Sequence, residues 1–280
     1  MYRDLTDKGY LKSILGKRGL KPKKSSGQNF LICEEVIEAT LLTLNKMEKR
    51  VTELGAGMGV LTKALLESGY EVQAIERDKD LAEVLKKETK RLADNRLQVI
   101  VGDLKKVDWS WGDKSDKKAY QLVGYIPYNI TGLIVRQITN LEPAPERVIL
   151  LLQKEVGERL TAKPPKMGLS SLAVSLWGEA RILMNVPASC FWPKPKVDSC
   201  LIMMARRDFG ISDEERKRIM KMARVFFQAK RKQMGRTMRD QLGIDSRDKA
   251  VKILQKAEIN EKSRPQELSV EQWRGLARVL

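Results

Sequence analysis

The residues with the most evident chemistry are a glycine-rich turn and the acidic side chains spaced behind it. Glu53-Leu-Gly-Ala-Gly-Met-Gly59 places Gly55, Gly57 and Gly59 where a β-type run, Arg50–Leu54, gives way to a helical one. Residues without a Cβ let the main chain turn sharply and approach a ligand closely. Glu76 closes a second β-type run, Glu71–Glu76, and Asp103 follows a third, Leu97–Val101. A carboxylate at the first position can accept both ribose hydroxyls, and one at the second can accept from an adenine amino group. A nucleoside ligand is implied. A nicotinamide dinucleotide remains one reading, but its fingerprint seats a pyrophosphate on a GxGxxG turn, and the sixth position here is Val60. A carboxylate at Glu53 would repel a pyrophosphate and attract a cationic ammonium. The expected cofactor is therefore S-adenosyl-L-methionine.

Other chemistries are excluded by composition. The 280 residues contain no histidine, which removes Ser–His and Cys–His triads and histidine-ligated metals. Cys33, Cys190 and Cys200 are widely spaced and odd in number. They predict neither a disulfide framework nor a metal site, and they fit a reducing cytosol. Lys and Arg outnumber Asp and Glu by 53 to 36, a net charge of +17 that favours a polyanionic partner. No run approaches the ~20 apolar residues of a membrane span. The first residues lack the apolar core of a signal peptide.

The elements that must position these groups alternate in type. Helical patterns over Val60–Glu67 and Lys79–Leu92 separate the three β-type runs already named, and Gln121–Val123 and Val148–Leu152 add two more. This order predicts an α/β domain with a parallel, helix-covered sheet over residues 27–207. Ala180–Val186 and Val197–Met204 read as a closing pair with an antiparallel member. Residues 1–26 read as a basic arm or short helix, and 208–280, with no β-type run, as a small all-helical domain. Trp109 and Trp111, in a charged loop, read as packing residues.

From Arg216 to Arg239 the chain carries ten basic residues and no acid, including Lys230, Arg231, Lys232 and Arg236. Such a run suits a surface that tracks phosphates. Lys21, Lys23 and Lys24 add a second basic patch near the expected pocket mouth.

Gly124-Tyr-Ile-Pro-Tyr-Asn129 follows the fourth strand, at the edge of the sheet where α/β enzymes bind ligands. With it the chain resembles the KsgA-type small-subunit rRNA adenine dimethyltransferases, relatives of the Erm methyltransferases. The likeness runs from GQNFL at 27–31 through ELGAGMG, IPYN, QKEVGERL at 153–160 and FWPKPKVDS at 191–199 to RPQELS at 264–269. It implies a Rossmann-like class I methyltransferase sheet, S-adenosylmethionine as donor, and adenine N6 near the 3′ end of small-subunit rRNA as acceptor. It also implies a cytoplasmic monomer that meets the pre-small ribosomal subunit. To the cofactor set it adds Gln28, Asn29, Leu31, Leu104 and Gly124. On the acceptor side it implies Tyr128 and Phe191 as faces about the base, with main-chain carbonyls at Ile126 and Pro127 accepting from the amine. An Asn begins the family's motif and supplies a further acceptor; here that position is Tyr125. The substitution leaves a second reading open, an RNA-binding assembly factor with weak or absent catalysis on the same fold.

Overall fold

The computed structural model describes residues 1–23, 27–111, 118–126 and 131–280. The chain forms two compact units, Met1–Gly157 with Arg181–Arg206, and Glu158–Ala180 with Arg207–Leu280.

The first unit opens with a 3-10 turn, Tyr2–Thr6, and α1 (Lys8–Gly16), capped by Asp7, whose carboxylate accepts the Tyr10 N–H at 2.6 Å. Then follow β1 (Phe30–Leu31), α2 (Glu34–Thr43), β2 (Arg50–Leu54), α3 (Val60–Glu67) and β3 (Glu71–Glu76). α4 (Lys79–Ala93), β4 (Leu97–Val101), β5 (Gln121–Tyr125), α5 (Thr131–Ile138), β6 (Arg147–Gln153) and α6 (Lys154–Thr161) come next. Beyond α7 (Leu169–Trp177) lie β7 (Gly178–Val186), β8 (Phe191–Trp192) and β9 (Ser199–Arg206). Seven of these strands form one sheet in the order β4-β3-β2-β5-β6-β9-β7, with β4 to β6 parallel and β9 antiparallel to β6. The runs are apolar because both faces are covered: Val148 to Leu152 of β6 are all buried. Each such side chain contributes about 1.5–3 kcal/mol of burial. Strand order reverses where β2 meets β5, which opens a crevice beyond their C-terminal ends.

The first residues, expected as a basic arm or short helix, form a short helix that is packed. Leu5, Leu11, Ile14 and Leu15 are buried against Met58, Leu81 and Val84, so the first residues cover the glycine turn and α4. Lys63, itself buried, lies 3.7 Å from Asp4 and ties the 3-10 turn to α3. Trp109 is buried as expected, its indole N–H donating to the Leu104 carbonyl at 3.1 Å.

The second unit contains α7 and four later helices: α8 (Asp213–Gln228), α9 (Met234–Leu242), α10 (Arg247–Lys256) and α11 (Val270–Val279). Ser212, Ser246 and Ser269 cap α8, α10 and α11 by accepting main-chain N–H groups three residues on. Leu172 and Leu176 of α7 join Ile219, Phe226, Met238 and Trp273 in one core. Glu158–Ala180 groups with these helices, because the apolar face of α7 is buried there.

Candidate active site

The glycine turn is held open by its neighbours. Gly55 and Ala56 donate to the Ile75 carbonyl at 2.8 and 3.1 Å, stitching the turn to the end of β3. Gly57 sits at φ +58°, a left-handed conformation that disfavours side chains. Its N–H donates to Glu76 Oε2 at 2.7 Å, while Glu76 Oε1 accepts the Asp78 N–H at 2.8 Å. Each Glu76 oxygen keeps further acceptor capacity for a ligand. Burial, more than those bonds can offset, raises its pKa above the ordinary carboxylate value.

A cavity of about 550 Å³ lies over this crevice. Its wall includes Gln28, Asn29, Leu31, Gly55, Gly57, Glu76, Asp103, Leu104, Tyr125, Ile126 and Phe191, all expected from sequence. Lys23 also reaches the wall, but its ammonium is 2.7 Å from Asp78 Oδ2, so its charge is answered within the protein. The Gln28 amide bridges the same corner, accepting the Lys23 N–H at 2.7 Å and donating to Asp78 at 3.1 Å. Burial of Asp78 is outweighed by these bonds, which hold its carboxyl below the usual range. Asp103 Oδ1 accepts the Lys105 N–H at 2.9 Å, and its Oδ2 lies 3.7 Å from Arg77.

Three expected cofactor residues stand behind the wall. Glu53 is buried, and its Oε2 accepts the Thr62 hydroxyl at 2.6 Å. Burial first, and the charge of Glu76 in addition, push its pKa to about 8, so near neutrality it is mostly protonated and presents no anion to a cofactor. Gly59 caps α3 and faces Leu85. Gly124 serves close approach: a Cβ there would stand 2.9 Å from the Leu54 carbonyl, its neighbour across β2 and β5.

Tyr125 also departs from expectation. Its hydroxyl is 3.2 Å from Thr40 Oγ1 on α2, and Thr40 Oγ1 is also 2.8 Å from the Val36 carbonyl. The phenol thus shares a hydrogen bond with Thr40, in which either hydroxyl can donate, and burial raises its pKa. Its oxygen keeps acceptor capacity beyond that bond, and Tyr125 also lines the cavity. Pro127, Tyr128 and Lys24 lie outside the described residues. Lys21 is not part of the cavity wall.

β1 and β8 form a separate two-stranded ribbon, pairing Phe30 with Trp192 and Leu31 with Phe191. Beside it, Cys33 and Cys190 are disulfide-bonded, which corrects the expectation of unpaired thiols. Folding closes a separation of 157 residues to 5.0 Å between their Cα atoms.

In the second unit, Lys217, Lys221 and Arg224 share one exposed stripe of α8, and Lys230 and Arg231 follow it, also exposed. Lys232 and Arg236 differ, lying 2.8 and 3.5 Å from Asp240, an acid just beyond the basic run. Sequence reasoning overlooked Asp78, although an Asp opening a helical pattern is a capping signal. It also overlooked Arg77, Met58 and Ser199 in the cavity wall, for which the sequence carries no distinguishing signal.

Residues 19–275 match the ribosomal RNA adenine dimethylase family. The chain belongs to that family. As a member it is an S-adenosylmethionine-dependent rRNA adenine methyltransferase. It is 33% identical over 273 residues to a ribosomal RNA small subunit methyltransferase A of Nostoc sp., covering 93% of this chain and 98% of that one. A namesake from Dehalococcoides mccartyi is 32% identical, with 93% and 89% covered. Two solved structures share the fold: a dimethyladenosine transferase from Plasmodium falciparum (TM-score 0.74, 21% identical, 88% and 95% covered) and the 23S rRNA methyltransferase ErmE (0.72, 22%, 90% and 99%). Among the described residues, no helix is long and apolar enough to cross a membrane.

Proposed function

We propose that the 550 Å³ cavity binds S-adenosylmethionine and one flipped adenine side by side, and that methyl groups pass to adenine N6 near the 3′ end of small-subunit rRNA during ribosome assembly. One observation carries the reading: a single cavity is lined by both sets of residues, Gly57, Glu76 and Asp103 on one side, Ile126 and Phe191 on the other.

The cavity's size lies in the range of small-molecule sites. Glu76 accepts from the ribose hydroxyls, and Asp103 accepts from the adenine amino group of the cofactor. The bound cofactor supplies an electrophilic methyl on a sulfonium. Transfer is then an in-line displacement, for which the protein mainly aligns nucleophile and methyl. Phe191 faces the target base, and main-chain carbonyls at the end of β5 orient its amine. The amine's proton leaves to water. Tyr128 and Pro127 are assigned to the same wall by resemblance. The exposed stripe Lys217, Lys221, Arg224, with Lys230 and Arg231, tracks rRNA phosphates. The reading includes action as a monomer in the cytoplasm, where small subunits are assembled.

The test is methylation of small-subunit particles by the purified protein, with the rRNA products resolved by mass spectrometry. Dimethyladenine near the 3′ end is the expected product. Binding of both cofactor and RNA without any methyl transfer would replace this reading by the assembly-factor one, which the inward-turned Tyr125 phenol favours.

A further inference from the structure

We propose that the Cys33–Cys190 disulfide is a positioning element for Phe191, so that methyl transfer depends on thiol redox state. The inference rests on the methyltransferase reading. The ribbon that carries Phe191 is minimal, with two residue pairs and one further bond, from the Ile32 N–H to the Cys190 carbonyl at 2.8 Å. Two short strands alone are marginal in water. The cross-link lies at the end of this ribbon: Cys190 immediately precedes Phe191, and Cys33 immediately follows the segment Gln28–Ile32. Leu31 and Phe191 are paired, buried and both in the cavity wall. The bond therefore joins the wall beside the cofactor to the wall beside the base. The Cys33 thiol serves no capping role on α2, where its side chain accepts no bond. Cys200 is buried on β9 and is not part of this pair.

Cys33 is half-buried and Cys190 buried, so a small thiol reaches the bond from the Cys33 side. A thiolate RS⁻ attacks Cys33 Sγ, forming a mixed disulfide and releasing the Cys190 thiolate. A second RS⁻ attacks the R sulfur, releasing RSSR and the Cys33 thiolate, and both protein thiolates take protons from water. Two RSH are oxidised to RSSR as one protein disulfide becomes two thiols. Cytosolic disulfides in mesophiles are usually transient, catalytic or redox-sensing. Opening this one leaves the position of Phe191 to its core packing with Leu31 and to the ribbon's few bonds, and misplacing a group at the reacting centre by about 1 Å can cost on the order of 100-fold in rate.

The experiment equilibrates the full chain at a series of reduced-to-oxidised glutathione ratios, with thiol state measured by alkylation and mass spectrometry. Single-turnover methylation of small-subunit particles should fall on the order of tenfold as the bond opens. Cofactor affinity should change less than the rate, because Gly57, Glu76 and Asp103 belong to the sheet edge and only Gln28, Asn29 and Leu31 lie on or beside the ribbon. Cys33→Ser should show the reduced rate at every ratio, and Cys200→Ser should respond like wild type. Hydrogen exchange at the Ile32 amide reports the ribbon independently of activity and should accelerate on reduction in wild type. An Ile32 amide indifferent to reduction overturns the proposal. So does a rate that stays constant while the bond opens, or a redox response that survives in Cys33→Ser. Faster Ile32 exchange with no methylation in either state would defeat the methyltransferase reading, while upholding the ribbon's dependence on the bond.

Discussion

Replacing Glu53 by Gln tests both the electrostatics of the site and the identity of what the cofactor meets. In the fold this carboxyl titrates at about 8, against an ordinary value of 4.5, because burial penalises its charged form. The folded protein therefore holds a proton that the unfolded chain has released throughout the interval between those values. Stability from this group is complete below about 4.5, declines as pH rises, and levels off above about 8. One proton of difference gives a slope of about 1.4 kcal/mol per pH unit, or about 5 kcal/mol over the whole interval. For a unit of this size each kcal/mol moves Tm by about 2–4 °C. Glutamine mimics the protonated carboxyl and can still accept from Thr62, but it does not titrate. Melting curves of both proteins from pH 5 to 9 should nearly coincide at the acid end. They should then separate progressively, with Glu53→Gln the more stable at pH 9. Contributions from groups that do not interact with Glu53 cancel in the difference, which leaves its coupling to Glu76. Parallel curves across the range would mean that Glu53 is charged in the fold and that the burial argument fails. Calorimetry supplies the functional half. Because Glu53 stands behind the cavity wall, S-adenosylmethionine affinity at pH 7 should change by less than about threefold, under 1 kcal/mol. A tenfold loss would return Glu53 to the role the sequence suggested, a carboxylate facing the cofactor's ammonium.

Other substitutions probe the remaining walls. Tyr125→Phe removes a hydroxyl that bonds Thr40 rather than substrate, so it should lower stability by ~1 kcal/mol and leave the single-turnover methylation rate unchanged; a large fall in rate would make the phenol a catalytic group. Gly57→Val should abolish cofactor binding by calorimetry while the protein stays folded, since no protein atom lies within 4 Å of the added Cβ and the side chain enters the cavity region. The left-handed backbone adds roughly 1–2 kcal/mol of strain. Arg231→Gln should flatten the dependence of log RNA affinity on log salt by about one unit per lost phosphate contact. Lys232→Gln should flatten it less, because Asp240 already answers that charge.

The sheet was legible because its signals are local. The strands are short runs rich in apolar residues, and Glu71–Glu76 and Leu97–Val101 form with those very bounds. The glycine turn was legible for the same reason, being a contiguous pattern. The packing of the first residues was missed because charge masked periodicity. Leu11, Ile14 and Leu15 stand at helical spacing, but they are interspersed with Lys8, Lys12 and Lys17, and the surface they cover is distant in sequence. The helix Leu169–Trp177 shows the limit of local patterns more sharply. Its position between two strands suggests a cover for the sheet, while its core partners Ile219, Phe226 and Trp273 are first met some fifty residues later.

What sequence could not supply was direction. Glu53 was read as a site residue because it flanks a site motif, yet its side chain ends on the interior Thr62; Tyr125 lines the cavity while its hydroxyl also bonds the interior Thr40. A residue at a strand end sits at the crevice by its main chain, and successive side chains leave a strand on opposite faces. Adjacency in sequence thus places the backbone without choosing between cavity and core. The same reasoning explains Gly124, whose missing Cβ admits the Leu54 carbonyl and so lets the glycine turn and the acceptor motif end side by side. Its contribution to the site is made through strand pairing rather than ligand contact. The cysteine pair is the extreme case: its members are 157 positions apart, and only the folded ribbon, pairing Phe30 with Trp192 and Leu31 with Phe191, brings them together.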